Sequence, residues 1–321
     1  VSEDFYAAAT YLEDRKFGRV KSIKTPWKNF NDVGMKGIEW HTMLVIGARP
    51  GVGKTLIADL ITTNAPALNS DQDFMICKLQ FEMLGRNTAI RELSGAIGKS
   101  IKYLNSADED LGDLTATDLS FVKKYAEMTK TRQEYVVDTP STPKGIGKTL
   151  RNFYKEFKKP FIVTLDHSML VEKAADEKDK VEMLQNLGKE LTAVKRELPC
   201  IIIILSQLNR SVDAPERQEK PSQANYPNDG DLFGGDALFQ HADIMCLVNK
   251  PSKYGLEYYG GEMFEVTDKN LLAFHFTKVR SGNTRISFFL GEFEKMQIRE
   301  VAPPPRKSKS SSTTGKFTPR S

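Results

Sequence analysis

The sequence predicts an α/β fold: a central, mostly parallel sheet flanked by helices, with an antiparallel hairpin at one edge. Three observations predict it. From residue 41 to residue 205, short apolar runs alternate with segments of helical periodicity, the order expected of a parallel sheet. Phe161-Ile162-Val163 and Ile201-Ile202-Ile203-Ile204-Leu205 are continuous apolar runs, as in strands covered on both faces. Two alternating runs, 271–279 and 284–290, are joined through Ser281-Gly282-Asn283, which reads as a hairpin.

Each element follows in order. Residues 1 to about 18 form a short amphipathic helix with Phe5, Ala8, Ala9 and Leu12 on one side. A turn-rich stretch, 21–37, leads into a strand at 41–47. Further strands are expected at 73–79, 134–138, 161–166 and 200–205, and helices at 54–63, 86–98, 115–130, 148–158 and 178–197. A long polar loop, 209–230, returns to the strand Ile244-Met245-Cys246-Leu247-Val248. The expected organisation is a helix and linker over 1–24, one large domain over 25–301, and a basic tail over 302–321. In that tail Pro303-Pro304-Pro305 precedes Arg306, Lys307, Lys309, Lys316 and Arg320 with no acid among them, which reads either as a disordered solubilising segment or as a contact for nucleic acid or an acidic partner.

The 321 residues carry a formal charge of only +4, which permits contact with nucleic acid without arguing for it. Cys77, Cys200 and Cys246 each lie in an apolar run and read as buried thiols in a reducing compartment. His41, His167, His241 and His275 share no metal-ligand spacing. No apolar run is long enough for a membrane span, and no signal-peptide pattern opens the chain. The chain begins at Val, so a preceding segment is an open expectation.

The most specific stretch is Ala48-Arg49-Pro50-Gly51-Val52-Gly53-Lys54-Thr55, between the apolar strand and the helix at 54–63. A Gly-rich turn that opens a helix with Gly-Lys-Thr cradles the phosphates of a nucleoside triphosphate. Loop amides point at phosphate oxygens, Lys54 reaches the β- and γ-phosphates, and the Thr55 hydroxyl is placed to ligate Mg²⁺. Ala48 stands where the general pattern has Gly. Asp166, ending an apolar strand, suits Mg²⁺ through a water. Glu82, after the strand at 73–79, suits a general base, and Gln207, after the strand at 200–205, suits a γ-phosphate contact. Lys278 and Arg280 flank Val279 near the hairpin turn, either as solvent-facing residues or as cations offered to a phosphate on a neighbouring subunit. Gly145-Ile146-Gly147-Lys148-Thr149 looks like a second phosphate loop. Its first glycine would fall at Thr142 and Pro143 intrudes, so it reads as the start of an exposed helix.

Taken together, these motifs resemble the hexameric replicative DNA helicases of the bacterial DnaB type, whose motor domain has the RecA-like fold. The resemblance runs in order from about residue 25 to 297. Ala48-Arg49-Pro50 matches the family's own phosphate loop, so the mismatch at Ala48 becomes support. Leu79-Gln80-Phe81-Glu82-Met83 resembles the stretch bearing the catalytic glutamate, and 161–166 the Mg²⁺-associated aspartate strand. Leu205-Ser206-Gln207-Leu208-Asn209-Arg210 matches the γ-phosphate-sensing segment. Lys278-Val279-Arg280-Ser281-Gly282 resembles the element whose lysine and arginine act in trans, with Arg280 as the arginine finger.

Three departures stand out. The family's Asp-Leu-Arg-Glu-Ser-Gly element of the inner DNA loop is here Asp231-Leu232-Phe233-Gly234-Gly235-Asp236, without its arginine and glutamate. Asp166 is followed by His167-Ser168, a change expected to affect packing more than chemistry. The resemblance does not extend to the N-terminal primase-engaging domain.

What it implies is an ATP- and Mg²⁺-dependent 5′–3′ helicase that moves on single-stranded DNA as a homo-oligomeric ring, a hexamer. Primase, a loader and a single-strand-binding protein are its implied partners at the replication fork. The implied location is the cytoplasm, that of the host for a viral origin. Loops 167–180 and 209–236 would face the channel, with Lys173, Lys178, Arg210 and Arg217 as candidate backbone contacts. The alternative is a RecA-like ATP-binding ring or accessory module that binds DNA or recruits other proteins without processive unwinding.

Overall fold

Strands that are apolar on both faces must be covered on both, and two helical layers do so. The computed structural model describes residues 2–81, 85–105, 114–234 and 236–307. The strands are β1 (Thr42–Ala48), β2 (Met75–Gln80), β3 (Glu134–Val137), β4 (Phe161–Asp166), β5 (Cys200–Gln207), β6 (Ile244–Asn249), β7 (Tyr258–Tyr259), β8 (Phe264–Glu265), β9 (Leu271–Val279), β10 (Arg285–Glu292) and β11 (Gln297–Val301). Among the described residues they form a nine-stranded sheet, ordered β11-β10-β9-β6-β1-β5-β4-β2-β3, and a small β7–β8 hairpin. Pairing is parallel from β3 to β6 and antiparallel from β6 to β11, as the patterning predicts.

The helices are α1 (Ser2–Lys16), α2 (Lys28–Asn31), α3 (Lys54–Leu68), α4 (Gly85–Ile97), α5 (Ile101–Leu104), α6 (Ala116–Thr129), α7 (Pro143–Phe157), α8 (Lys180–Glu197), α9 (Pro215–Gln218) and α10 (Asp236–Phe239). One core layer packs α3 and the aromatic residues Trp27 and Phe30 against Ile46, Ile203, Phe274 and Phe276. The other packs α7, α8 and α10 against Val45, Val163 and Ile204. Cys77, Cys200 and Cys246 are buried free thiols, and burial pushes the first two up to about 12.

The segment before β1 closes over the last strands. The Trp27 indole donates to the Ile298 carbonyl at 2.9 Å, the Asn29 amide to the Glu300 carboxylate at 2.6 Å, and Arg285 to the Asn29 carbonyl. This closure depends on β11, which the alternating pattern does not announce.

Some boundaries differ from expectation. α7 begins at Pro143, not 148, because Thr142 caps it and Pro143 needs no N–H at the first helical position. Gly147 is therefore inside the helix and buried, where a Cβ would collide with the Glu190 carboxylate of α8. It opens neither a phosphate loop nor an exposed helix. Past Val301 the chain stays attached through Lys307: the Glu265 amide donates to the Pro305 carbonyl at 2.8 Å, and Arg306 pairs with Glu262 at 2.5 Å.

Candidate nucleotide site

β1 ends at Ala48 and α3 starts at Lys54, so residues 49–53 turn at the carboxyl edge of the sheet, where α/β folds bind ligands. Gly51 and Gly53 have φ of 78° and 99°, left-handed values that let the loop amides converge. Gly53 is doubly constrained, since a Cβ there would lie 2.8 Å from the Phe293 ring. Ala48 and Val52 are buried in the core and shape the loop from beneath.

β4 runs one strand beyond β5, and its last residue reaches the loop. Asp166 accepts a 2.8 Å hydrogen bond from Thr55 Oγ1, and its other oxygen lies 4.0 Å from Lys54 Nζ. Gln207, the last residue of β5, pairs in register with Ala48. Gly51, Lys54, Thr55 and Gln207 line a cavity of about 450 Å³ with Arg49, Pro50, Arg91, Ile101, His167, Phe293 and Met296. Its polar floor and apolar rim suit a triphosphate and a base. Mg²⁺ fits the donor set, since a hydroxyl and a carboxylate already lie within one hydrogen bond of each other.

The opposite edge of the sheet holds a second charged group. β9 is antiparallel to β6, so Val279 pairs with Ile244, which pairs with Leu44. Four residues separate Leu44 from Ala48, about 13 Å at ~3.3 Å per residue, and β9 lies two strands across. Lys278 and Arg280 are therefore on the far edge from their own phosphate loop.

The family model described as DnaB-like helicase C terminal domain matches residues 22–297 of the chain. The chain belongs to this family. Among DnaB-family relatives, the replicative DNA helicase DnaB of Buchnera aphidicola subsp. Schizaphis graminum is 27% identical over 237 residues, 73% of this chain and 48% of that protein. The replicative DNA helicase DnaC of Bacillus subtilis is 25% identical over 287 residues, 88% of this chain and 58% of that protein. The chain thus spans about half the length of the curated relatives it matches. A solved structure described as an ATPase domain has the same fold, with a TM-score of 0.75 at 20% identity over 92% of this chain and 98% of the other. So does a DnaB-like replicative helicase studied for its interactions with primase, with a TM-score of 0.76 at 20% identity over 92% and 68%. The expected RecA-like architecture is thereby shown.

Within this DnaB-family domain the structure brings together Gly51, Gly53, Lys54, Thr55, Asp166 and Gln207. Glu82 lies outside the described residues; Phe81 just before it donates its amide to the Asp166 carbonyl at 3.1 Å. Arg49 borders the cavity, but its guanidinium is engaged by Asp213 and by the Leu208 carbonyl, both at 2.8 Å. It ties the phosphate loop to the loop after β5. Arg217 is not a free cation: it makes paired contacts of 2.5 and 2.9 Å to buried Asp231 and donates to the carbonyls of Ala224 and Tyr226. Lys173 is bonded to the Glu177 carbonyl.

Sequence reasoning missed the apolar rim. Phe293 and Met296 fall between β10 and β11, more than 230 positions from the phosphate loop, and carry no local motif. His167 borders the cavity rather than serving packing alone, and its Nδ1 accepts from the Met169 amide at 3.2 Å. Its place directly after Asp166 was the available signal.

Proposed function

We propose that the chain is the motor domain of an ATP-dependent replicative DNA helicase. It works as a homo-oligomeric ring, a hexamer, that moves 5′–3′ on single-stranded DNA at the fork. One observation supports this reading: the phosphate loop and the Lys278–Arg280 pair lie on opposite edges of one sheet, the layout expected of a site that closes between copies.

In one copy the loop amides and the Lys54 ammonium hold the phosphates of ATP. Asp166 fixes the Thr55 hydroxyl, so both enter the site preoriented. Bound Mg²⁺ would neutralise phosphate charge at Thr55 and, through water, at Asp166. Glu82 withdraws the proton of the attacking water, and Gln207 senses the γ-phosphate. The Gln207 carbonyl accepts from the Phe233 amide at 2.9 Å, which links the sensor to the loop at 209–236. The neighbour supplies Arg280, with Lys278 beside it. Helix α1 exposes Phe5, Tyr6 and Leu12, apolar side chains suited to docking on the next copy.

A second reading, an ATP-binding ring or accessory module without processive unwinding, draws on one feature. Asp231 and Leu232 of the altered loop element are buried in their own fold. Primase, loader and single-strand-binding partners, and a cytoplasmic setting, belong to the first reading. No helix among the described residues is long and apolar enough to cross a membrane.

The deciding experiment measures ATP turnover with and without single-stranded DNA while recording assembly state in the same buffer. Strong stimulation of a ring-sized species is expected, followed by unwinding of a forked duplex. An assembled protein whose turnover ignores DNA would favour the accessory ring.

A further inference from the structure

Lys278 and Arg280 are held by residues that phosphate chemistry does not require. Met245 pairs with Lys278 but Cys246 with Phe276, so Thr277 is an extra residue, a bulge in β9. Strict alternation would put Lys278 on the face of Phe274 and Phe276. Beyond the bulge the order inverts: Val279 packs on that face, and Lys278 emerges on the other. There its ammonium donates to the Phe239 carbonyl at 2.6 Å and sits 4.4 Å from the Phe239 ring centre.

Arg280 is fixed twice by Asp243. Its amide donates to the Asp243 carbonyl at 2.9 Å, and its Nε lies 3.4 Å from Asp243 Oδ1. The other oxygen, Oδ2, accepts from the Met43 amide of β1 at 2.7 Å and from Lys195 of α8. The carboxylate is thus anchored on two rigid elements and holds one edge of a guanidinium that remains 55% exposed.

We propose that Asp243 is a positioning residue that aims Arg280 at the nucleotide of the adjacent copy. The inference rests on the ring reading above. A side chain that must meet a phosphate across an interface loses less freedom there if its own subunit has already fixed it.

The test uses the full chain carrying Asp243→Asn, with Arg280→Ala and Lys54→Ala as references. Asp243→Asn should assemble, keep its KM for ATP within about twofold, and lose about 10- to 100-fold in kcat. Mixing it with Lys54→Ala should restore turnover, because the defect lies only on the donating edge; a merely structural lesion would not complement. Asp243→Glu should regain part of the rate. If the variant is poorly folded, Asp243→Asn with Lys195→Met removes the orphaned cation and should show the same kcat loss and complementation. Normal turnover of Asp243→Asn, or failure to complement where Arg280→Ala does, overturns the positioning role and leaves the ring reading standing. Normal turnover of Arg280→Ala would instead overturn the ring reading itself.

Discussion

The two edges of the central sheet are built in opposite ways. At the carboxyl edge, one strand–loop–helix of adjacent residues, 42–68, supplies most of the phosphate site, and Asp166 and Gln207 arrive at the ends of neighbouring strands. At the other edge, Lys278 and Arg280 are placed by a bulge, by the carbonyl of Phe239 and by Asp243, itself held from β1 and α8. The first arrangement is a local motif; the second exists only after the chain has folded. The phosphate loop can therefore be read in a stretch of sequence, whereas the placement of Lys278 and Arg280 is a property of the assembled sheet.

The sharpest way to break this comparison is Lys54→Ala. It should abolish tight ATP binding, measured by a fluorescent nucleotide, while ring assembly judged by sedimentation persists. Arg280→Ala comes next: binding and assembly retained, kcat lower by about 10³. Equal loss of ATP binding in both variants would show that the edges are not separate half-sites. Phe293→Ala should be milder, raising KM about tenfold with kcat nearly unchanged, as expected for a ring lost from the rim.

The smallest effect concerns Asp59, one turn beyond the phosphate loop on α3, whose carboxyl is raised to about 6, chiefly by burial. A raised acid stabilises the fold fully below its ordinary value near 3.8 and loses that contribution as pH climbs through 6. Asp59→Asn should thus match wild type near pH 4 and exceed it at pH 7 by on the order of 2 kcal/mol, read from denaturant midpoints at each pH. A constant difference across that range would mean that Asp59 titrates normally.

The strands of the parallel core, the edge hairpin and the phosphate loop were legible because each shows as a pattern of residues close in sequence. Asp166 and Gln207 were legible because a strand end in such a sheet falls at the ligand edge. Thr277 was not: a bulge shows only against the partner strand, so the run 271–279 read as regular alternation. Arg217 looked like a free cation because its partner, Asp231, lies 14 residues away across a polar loop. Phe293 became a rim residue only when β10 and β11 brought it to Gly53.

The bond from the Trp27 indole to the Ile298 carbonyl joins residues 271 positions apart. At ~5–20 residues per second, a ribosome needs roughly 15–50 s to make the second after the first. Throughout that interval Trp27, Phe30 and Val33, all buried in the finished fold, lack the strands that cover them. The nascent chain therefore carries a sticky apolar segment until the last strands of this domain have emerged. Its yield in a cell should depend on how well chaperones shield that segment while the last strands emerge.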